Sequence, residues 1–260
     1  MDNRTMGRKS RRLWTEIMAR RQKNTFFQFK KFTVYQDKSA MKVCTDACIF
    51  GAVSMFPSAE TILDIGTGTG LLSLMLAQRY PTSQITALEI DENAVQQARE
   101  NSAESPFAKR ITILQTPVQD YYTDGSALFS GIICNPPFYE NALKSTNNQK
   151  NVAHHHTMLT FNELVDAVHR LLEPKGVCWI LLPPTEMEKL SRIFTKKSFF
   201  KTKSISISHQ PGKPIIREIC CFERNNRDIP IEIEQLSIFE TDGAYTSRIK
   251  DVLKEFYLIF

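Results

Sequence analysis

Two short stretches carry residue types that could do chemistry together: Asn135-Pro136-Pro137-Phe138, and Asp64-Ile65-Gly66-Thr67-Gly68-Thr69-Gly70. The first suits an exocyclic amine conjugated to a ring or a carbonyl, whose delocalised lone pair makes it a poor nucleophile. The Asn135 side-chain oxygen and the Pro136 carbonyl can each accept one N–H of that amine. Such acceptors draw the nitrogen towards tetrahedral geometry and aim its lone pair at an electrophile. Pro137 completes the tetrad, and Phe138 offers a face on which a planar base can stack. No strong general base is required, because positioning and preorganised hydrogen bonds lower the barrier.

The second stretch suits a nucleoside cofactor. Ile62, Leu63 and Ile65 read as a short buried strand, and Leu71 to Arg79 as a helix, with Gly66, Gly68 and Gly70 between them. A strand that turns sharply into a helix is expected to present free N–H groups and the positive end of the helix dipole to a ligand. Asp64 stands two residues before the first glycine, where it can meet a cationic amino group. That acid and the GxGxG spacing point to S-adenosylmethionine rather than to a dinucleotide. Glu89, nineteen residues beyond Gly70, closes the next predicted strand and can accept both ribose hydroxyls. Ile90 and Val118 complete the predicted cofactor contacts.

These residues need a scaffold, and the pattern supplies one. Strands are predicted at Gln84–Glu89, Ile111–Gln115, Phe129–Cys134 and Val177–Leu182, the last entered through a Lys175-Gly176 turn. Helices are predicted from Asp91 to Ala103, Thr160 to Leu172 and Pro184 to about Lys197. An apolar run from Ile49 to Phe56 reads as a further helix, capped by Thr45 or Asp46. Ser204–Ser208 and Ile215–Phe222 flank a Pro-Gly turn as a terminal antiparallel hairpin. The alternation gives an α/β fold: a three-layer, doubly wound sheet with its ligand at the switch point. Residues 1–24 read as a basic extension, 25–56 as an aromatic and basic hairpin plus helix, and 57–260 as the catalytic domain.

Bulk properties narrow the partners. No apolar run approaches the roughly 20 residues of a membrane span. The six cysteines lack paired CxxC spacing, which favours reduced, mostly buried thiols in a cytoplasmic protein. His154-His155-His156 cannot readily aim three imidazoles at one ion, so no metal is expected, and Asn141 to His156 reads as a mobile, RNA-facing loop. Residues 1–31 hold ten Lys or Arg against Asp2 and Glu16, an excess of eight in a chain whose net charge is only +5. A basic arm on a mildly acidic body suggests a polyanion partner. A transit peptide, or a start at Met18, are the competing readings of that arm. In Phe26 to Tyr35, Phe27, Phe29, Lys30 and Lys31 could stack bases and meet phosphates of RNA. The alternative is a hairpin whose phenylalanines pack on the domain.

The sequence resembles the bacterial tRNA(Val) adenine-N6 methyltransferases, which modify the adenosine 3′ to the anticodon. The resemblance runs from about Phe27 to Phe260 and is carried by FQFKKF, DKSAMKVCTDACIFGA, LDIGTGTGLLSLMLAQR, ALEIDENA, NPPF and the terminal EFYLIF. It implies a class I (Rossmann-like) fold, S-adenosylmethionine as cofactor and tRNA as partner; the sequence does not fix the oligomeric state, with a monomer slightly favoured. It also implies cofactor contacts from Asp64, Gly66, Gly68 and Glu89, amine capture at Asn135 to Phe138, and a supporting role for Lys42, Thr45 and Asp46. Cys44 departs from the glycine usual after Met-Lys-Val, and His154 from an arginine. Pro117 stands near where an acid commonly meets the adenine amine, leaving that contact to the Val118 backbone or to Asp120. Protein glutamine-N5 and rRNA guanine-N2 methyltransferases use the same amide logic. A non-catalytic RNA-binding protein is the reading from another class, against which the complete set of motifs argues.

Overall fold

The computed structural model of the chain describes residues 25–39, 42–123, 128–136, 159–224 and 230–260, and every structural statement below refers to these. The basic stretch before residue 25, Pro137, Phe138 and the His154–His156 run lie outside them. In chain order the strands are β1 (Phe26–Gln28), β2 (Thr33–Tyr35), β3 (Thr61–Ile65), β4 (Gln84–Glu89) and β5 (Ile111–Gln115). Then follow β6 (Phe129–Cys134), β7 (Leu172–Leu182), β8 (Phe199–Ser208), β9 (Ile215–Arg224) and β10 (Glu232–Ser237). The helices are α1 (Thr45–Val53), α2 (Leu71–Arg79), α3 (Glu92–Ala103), α4 (Phe161–Leu171), α5 (Pro184–Lys196) and α6 (Ser247–Leu253).

Eight strands make the main sheet in the order β10-β8-β9-β7-β6-β3-β4-β5. From β7 to β5 all pairs are parallel, while β9 runs antiparallel to both β7 and β8. The chain leaves β3 towards β4 and β5, then returns to the other side of β3 with β6. That reversal opens a crevice at the carboxyl ends of β3 and β6. Side chains alternate across the sheet, so neighbours Ile62 and Leu63 enter different cores. One core holds α1, α2, α3 and α6; the other holds α4 and α5. The expected three layers and terminal hairpin are therefore present.

Several local expectations change. The cap of α1 is neither Thr45 nor Asp46: its N-cap is Cys44, with no side-chain bond, and Thr45 is already helical. Asp46 sits in the first turn, where its charge complements the helix dipole. The Lys175-Gly176 turn is no turn but part of β7, beside a register shift in its pairing with β6. A Cβ on Gly176 would fall 2.7 Å from Leu172 Cδ1 and 3.0 Å from the Ser130 carbonyl, so only glycine lets the two strands close there. β10 and α6 escape the sequence pattern. Glu232–Ser237 is an edge strand with an exposed Ile233, so one face never shows the apolar period that a buried strand would.

The segment 25–56 is not set apart from the rest. Phe29, Phe32, Val34, Ile49 and Phe50 join the same core as α2, α3 and α6. Asn101 of α3, fully buried, accepts from Tyr35 N (2.9 Å) and donates to Tyr35 O and Thr69 O (2.8 Å each). One amide thereby fastens the β1–β2 hairpin to the glycine turn.

Phe56 occupies the space that Gly131 of β6 leaves empty. A Cβ on Gly131 would lie 2.2 Å from Phe56 Cδ1 and 2.5 Å from Cε1. The ring cannot slide away freely, because Phe56 N donates to Tyr80 Oη (2.9 Å) and Trp179 Nε1 donates to the neighbouring Met55 O (2.9 Å). Gly131→Ala is expected to cost about 1–3 kcal/mol of stability through overpacking. Phe56→Leu in the same chain should recover part of that loss. Urea denaturation of both single variants and the double variant checks it; strictly additive effects would refute the proposed contact.

Candidate active site

The glycine turn is left-handed at all three glycines: φ is +72° at Gly66, +57° at Gly68 and +83° at Gly70. Side chains rarely adopt such values, so the residue types follow from the backbone. A Cβ on Gly66 or Gly68 would meet nothing within 4 Å, whereas one on Gly70 would sit 3.5 Å from Cα and Cβ of Ala98. Open space therefore lies beside the first two glycines. Gly70, expected to face the cofactor, instead admits the close approach of α3.

The sequence leads to the expectation of free N–H groups on the turn, but four of them are already engaged. Gly66 N and Thr67 N both donate to Leu88 O (2.9 and 3.0 Å), Gly70 N to Thr67 O (2.9 Å), and Gly68 N to Glu89 Oε2 (2.9 Å). Glu89 Oε1 also accepts from Ile90 N (2.8 Å) and Asp91 N (3.1 Å). Three backbone donors thus fix this carboxylate, out of about four lone-pair sites that a carboxylate offers. Ile90, 48% exposed, presents an apolar side chain beside it.

Asp64 lies beneath the turn, 0% exposed. Its Oδ2 accepts from Thr67 Oγ1 (2.6 Å) and Ser73 Oγ (2.7 Å), and the Ser73 backbone adds a further bond. Oδ1 is buried with no partner. Burial lifts the carboxyl from its ordinary 3.8 to about 6; the Thr67 and Ser73 bonds oppose that shift and the Glu89 charge adds to it. Thr67 and Ser73 were not singled out in the sequence, although hydroxyls flanking a buried acid are the signal that finds them.

In the sheet, Ile65 pairs with Cys134, so the next residues, Gly66 and Asn135, leave their strands side by side. Asn135 is partly buried and Pro136 buried. The Cys134 thiol is pushed well up by burial, with the Asp64 and Glu89 charges adding to the effect, which ties the floor of the crevice to both acids. Asp64, Gly66, Gly68, Glu89, Ile90 and Asn135 are thus gathered at one end of the sheet. An S-adenosyl cofactor fits this donor set. The unpartnered Asp64 oxygen suits a cation, the gap over Gly66 and Gly68 admits a chain, and Glu89 and Ile90 suit a ribose and a base edge.

Other predicted residues have other partners. Lys42 Nζ donates to Gln36 O, the Thr45 hydroxyl bonds to the Tyr257 phenol, and Asp46 pairs with Arg217 Nε at 3.1 Å. Val118 is buried, and its carbonyl accepts from Arg170 Nη2 (3.0 Å). On the hairpin, Phe29 is 2% exposed and packs on Phe27, Phe32 and Tyr257, so it has no face left for a base. Phe27 is partly buried against the same core. Lys30 Nζ donates to Lys254 O (2.5 Å) and Phe260 O (2.6 Å), while Lys31 is exposed on the turn. The packing reading of this segment accounts for Phe29 and Phe32. Of the six cysteines, Cys48, Cys134, Cys178, Cys220 and Cys221 are buried and none is in a disulfide. Among the described residues, no His, Cys, Asp and Glu cluster could hold a metal, and no helix is long and apolar enough to cross a membrane.

Comparison with known proteins agrees with this geometry. Residues 51–204 match the methyltransferase small domain family. A tRNA1(Val) (adenine(37)-N6)-methyltransferase of Dyadobacter fermentans is 43% identical over 240 residues, 92% of this chain and 99% of that protein. One from Cytophaga hutchinsonii is 37% identical, covering 90% of this chain and 98% of that protein. Among solved structures, a predicted O-methyltransferase of Agrobacterium tumefaciens superposes with a TM-score of 0.59 at 18% identity, over 80% of this chain and 95% of that one.

The buried acid makes stability depend on pH. Because the folded protein binds the Asp64 proton more tightly than the unfolded chain, folding is favoured most below pH about 4. That advantage is lost as pH rises through about 6. Asp64→Asn does not titrate. The stability of the unliganded wild type relative to this variant should therefore fall by about 2 kcal/mol between pH 4 and 6.5 and change little above. Urea midpoints across that range test it; parallel curves would mean that Asp64 titrates normally.

Proposed function

Because this chain belongs to the tRNA1(Val) (adenine(37)-N6)-methyltransferase family, we propose that it methylates the exocyclic N6 of the adenosine 3′ to the anticodon of tRNA(Val). The observation that supports the reading is the pairing of Ile65 with Cys134, after which Gly66 and Asn135 leave their strands side by side. When bound, S-adenosylmethionine supplies an electrophilic methyl group on a sulfonium and a neutral thioether as leaving group. Asp64, through its unpartnered Oδ1, balances the charge of the amino-acid end, and Gly66 and Gly68 leave room for that end to approach. Glu89 accepts from the ribose hydroxyls at Oε2, the oxygen that holds only the Gly68 N–H. Asn135 Oδ1 and the Pro136 carbonyl accept the two N–H groups of the adenine amine and turn its lone pair outward. Phe138 stacks on the base. Stripping a base from an anticodon loop is modest in cost, because it is not paired in a duplex. Lys31, exposed on the hairpin turn, meets tRNA phosphate.

Asn135→Ala is expected to abolish most turnover while S-adenosylhomocysteine affinity stays near wild type, since its oxygen serves the reacting nitrogen. Glu89→Ala is expected to do the reverse, weakening cofactor affinity about ten- to a hundredfold through lost hydrogen bonds to a charged group. Nucleoside mass spectrometry of tRNA after reaction should show N6-methyladenosine. N2-methylguanosine in rRNA, or a methylated glutamine in a protein, would overturn the substrate while leaving amine capture in place.

A further inference from the structure

We propose that Arg170 is a positioning residue for the adenine of the cofactor, acting through the loop that follows β5; this rests on the cofactor reading above. The loop runs from Thr116 to Thr123 across the carboxyl edge of the sheet. It starts beside Glu89, whose carbonyl accepts from Thr116 N (3.0 Å), and it buries Val118 in the core with Leu63, Ile65 and Leu88. It therefore borders the strand ends that carry the glycine turn and Glu89. Its own bonds are few: Asp120 N to Pro117 O at 3.1 Å, and Tyr121 N to Val118 O at 3.4 Å.

What fixes the loop comes from α4. Arg170 Nη2 reaches three of its carbonyls, Val118 O at 3.0 Å, Tyr121 O at 3.3 Å and Gln119 O at 3.5 Å. The guanidinium also lies 4.7 Å from the centroid of Tyr122, whose ring is 69% exposed. Glu163, seven residues earlier and so on the same face two turns away, bonds to the Gln119 side chain. Arg170 holds this position although its Nε is buried with no partner, a cost that an arginine used only for solubility would not bear.

The consequence for recognition is chemical. An adenine edge needs an acceptor for its 6-amine and a donor for N1. Arg170 and Tyr121 N occupy the Val118 carbonyl, so the acceptor must come from elsewhere on the loop, and Asp120 is its exposed carboxylate. Arg170 thus sets which loop groups face the base without touching the base itself. Lysine is a poor substitute, because its ammonium lacks the planar face that the guanidinium lays over the Tyr122 ring while its Nη2 holds the carbonyls.

The test separates base recognition from folding and from the cofactor assignment. The full chain is titrated calorimetrically with S-adenosylhomocysteine and with S-inosylhomocysteine, which carries an oxygen in place of the 6-amine. Melting temperatures are recorded alongside. Wild type should prefer the adenosyl compound. Arg170→Met should lose about tenfold for that compound and much less for the inosyl one, so that the preference collapses. Arg170→Lys should melt close to wild type and still lose the preference. An unchanged preference in Arg170→Met, equal losses for both compounds, or full preference restored by lysine would each overturn the proposal. If wild type binds neither compound, the cofactor reading itself fails, and this inference with it.

Discussion

The structure depends on holding three glycines within five residues in left-handed conformations that the chain does not favour by itself. The turn is gripped from every side. Leu88 O takes two of its N–H groups and Glu89 takes a third. Asp64 braces it from below through Thr67, and Asn101 pins Thr69 O from α3. The grips come from β3, β4 and α3, so the turn keeps its shape only when all three are in place. Preorganisation of this kind is what a site needs if binding is not to be spent on ordering the protein.

The same bonds revise the picture of how a glycine turn recognises a ligand. Four N–H groups that could meet an anion are consumed inside the protein. What the turn leaves for a ligand is space and a carboxylate already oriented by three donors, with the unpartnered oxygen of a buried acid beneath. This is a surface for a cation and hydroxyls rather than for a phosphate. The distinction between S-adenosylmethionine and a dinucleotide therefore rests on where the donors go, not on the glycines as such.

Much of this was legible in the sequence because its signals are local. The strand–turn–helix from Thr61 to Arg79, the acid ending β4, the buried run of β6 and the Pro-opened α5 each carry their pattern within a dozen residues. What was not legible depends on register and on distant partners. That Leu88 O would fill Gly66 N and Thr67 N follows only from the pairing of β3 with β4. The burial of Phe29 follows from Tyr257, far along the chain, and no spacing within FQFKKF reveals it. β10 was missed because an edge strand with glutamates and an exposed isoleucine lacks a one-sided apolar period. Arg170 carries no local signal, because a cation in the last turn of a helix is common and the carbonyls it reaches lie far back along the chain.

The clasp between the β1–β2 hairpin and the last residues has a consequence for how the protein is made. Phe29 bridges to Tyr257, Lys30 N donates to Phe256 O (2.8 Å), and the Lys30 ammonium closes on Phe260 O. A two-stranded hairpin is marginal alone. At ~5–20 residues per second, the ribosome needs roughly ten to forty-five seconds to deliver Tyr257 after Phe29. For that interval Phe27, Phe29 and Phe32 form an aromatic cluster without its cover. The order of synthesis thus opposes the order of closure, and the nascent chain carries its stickiest segment the longest.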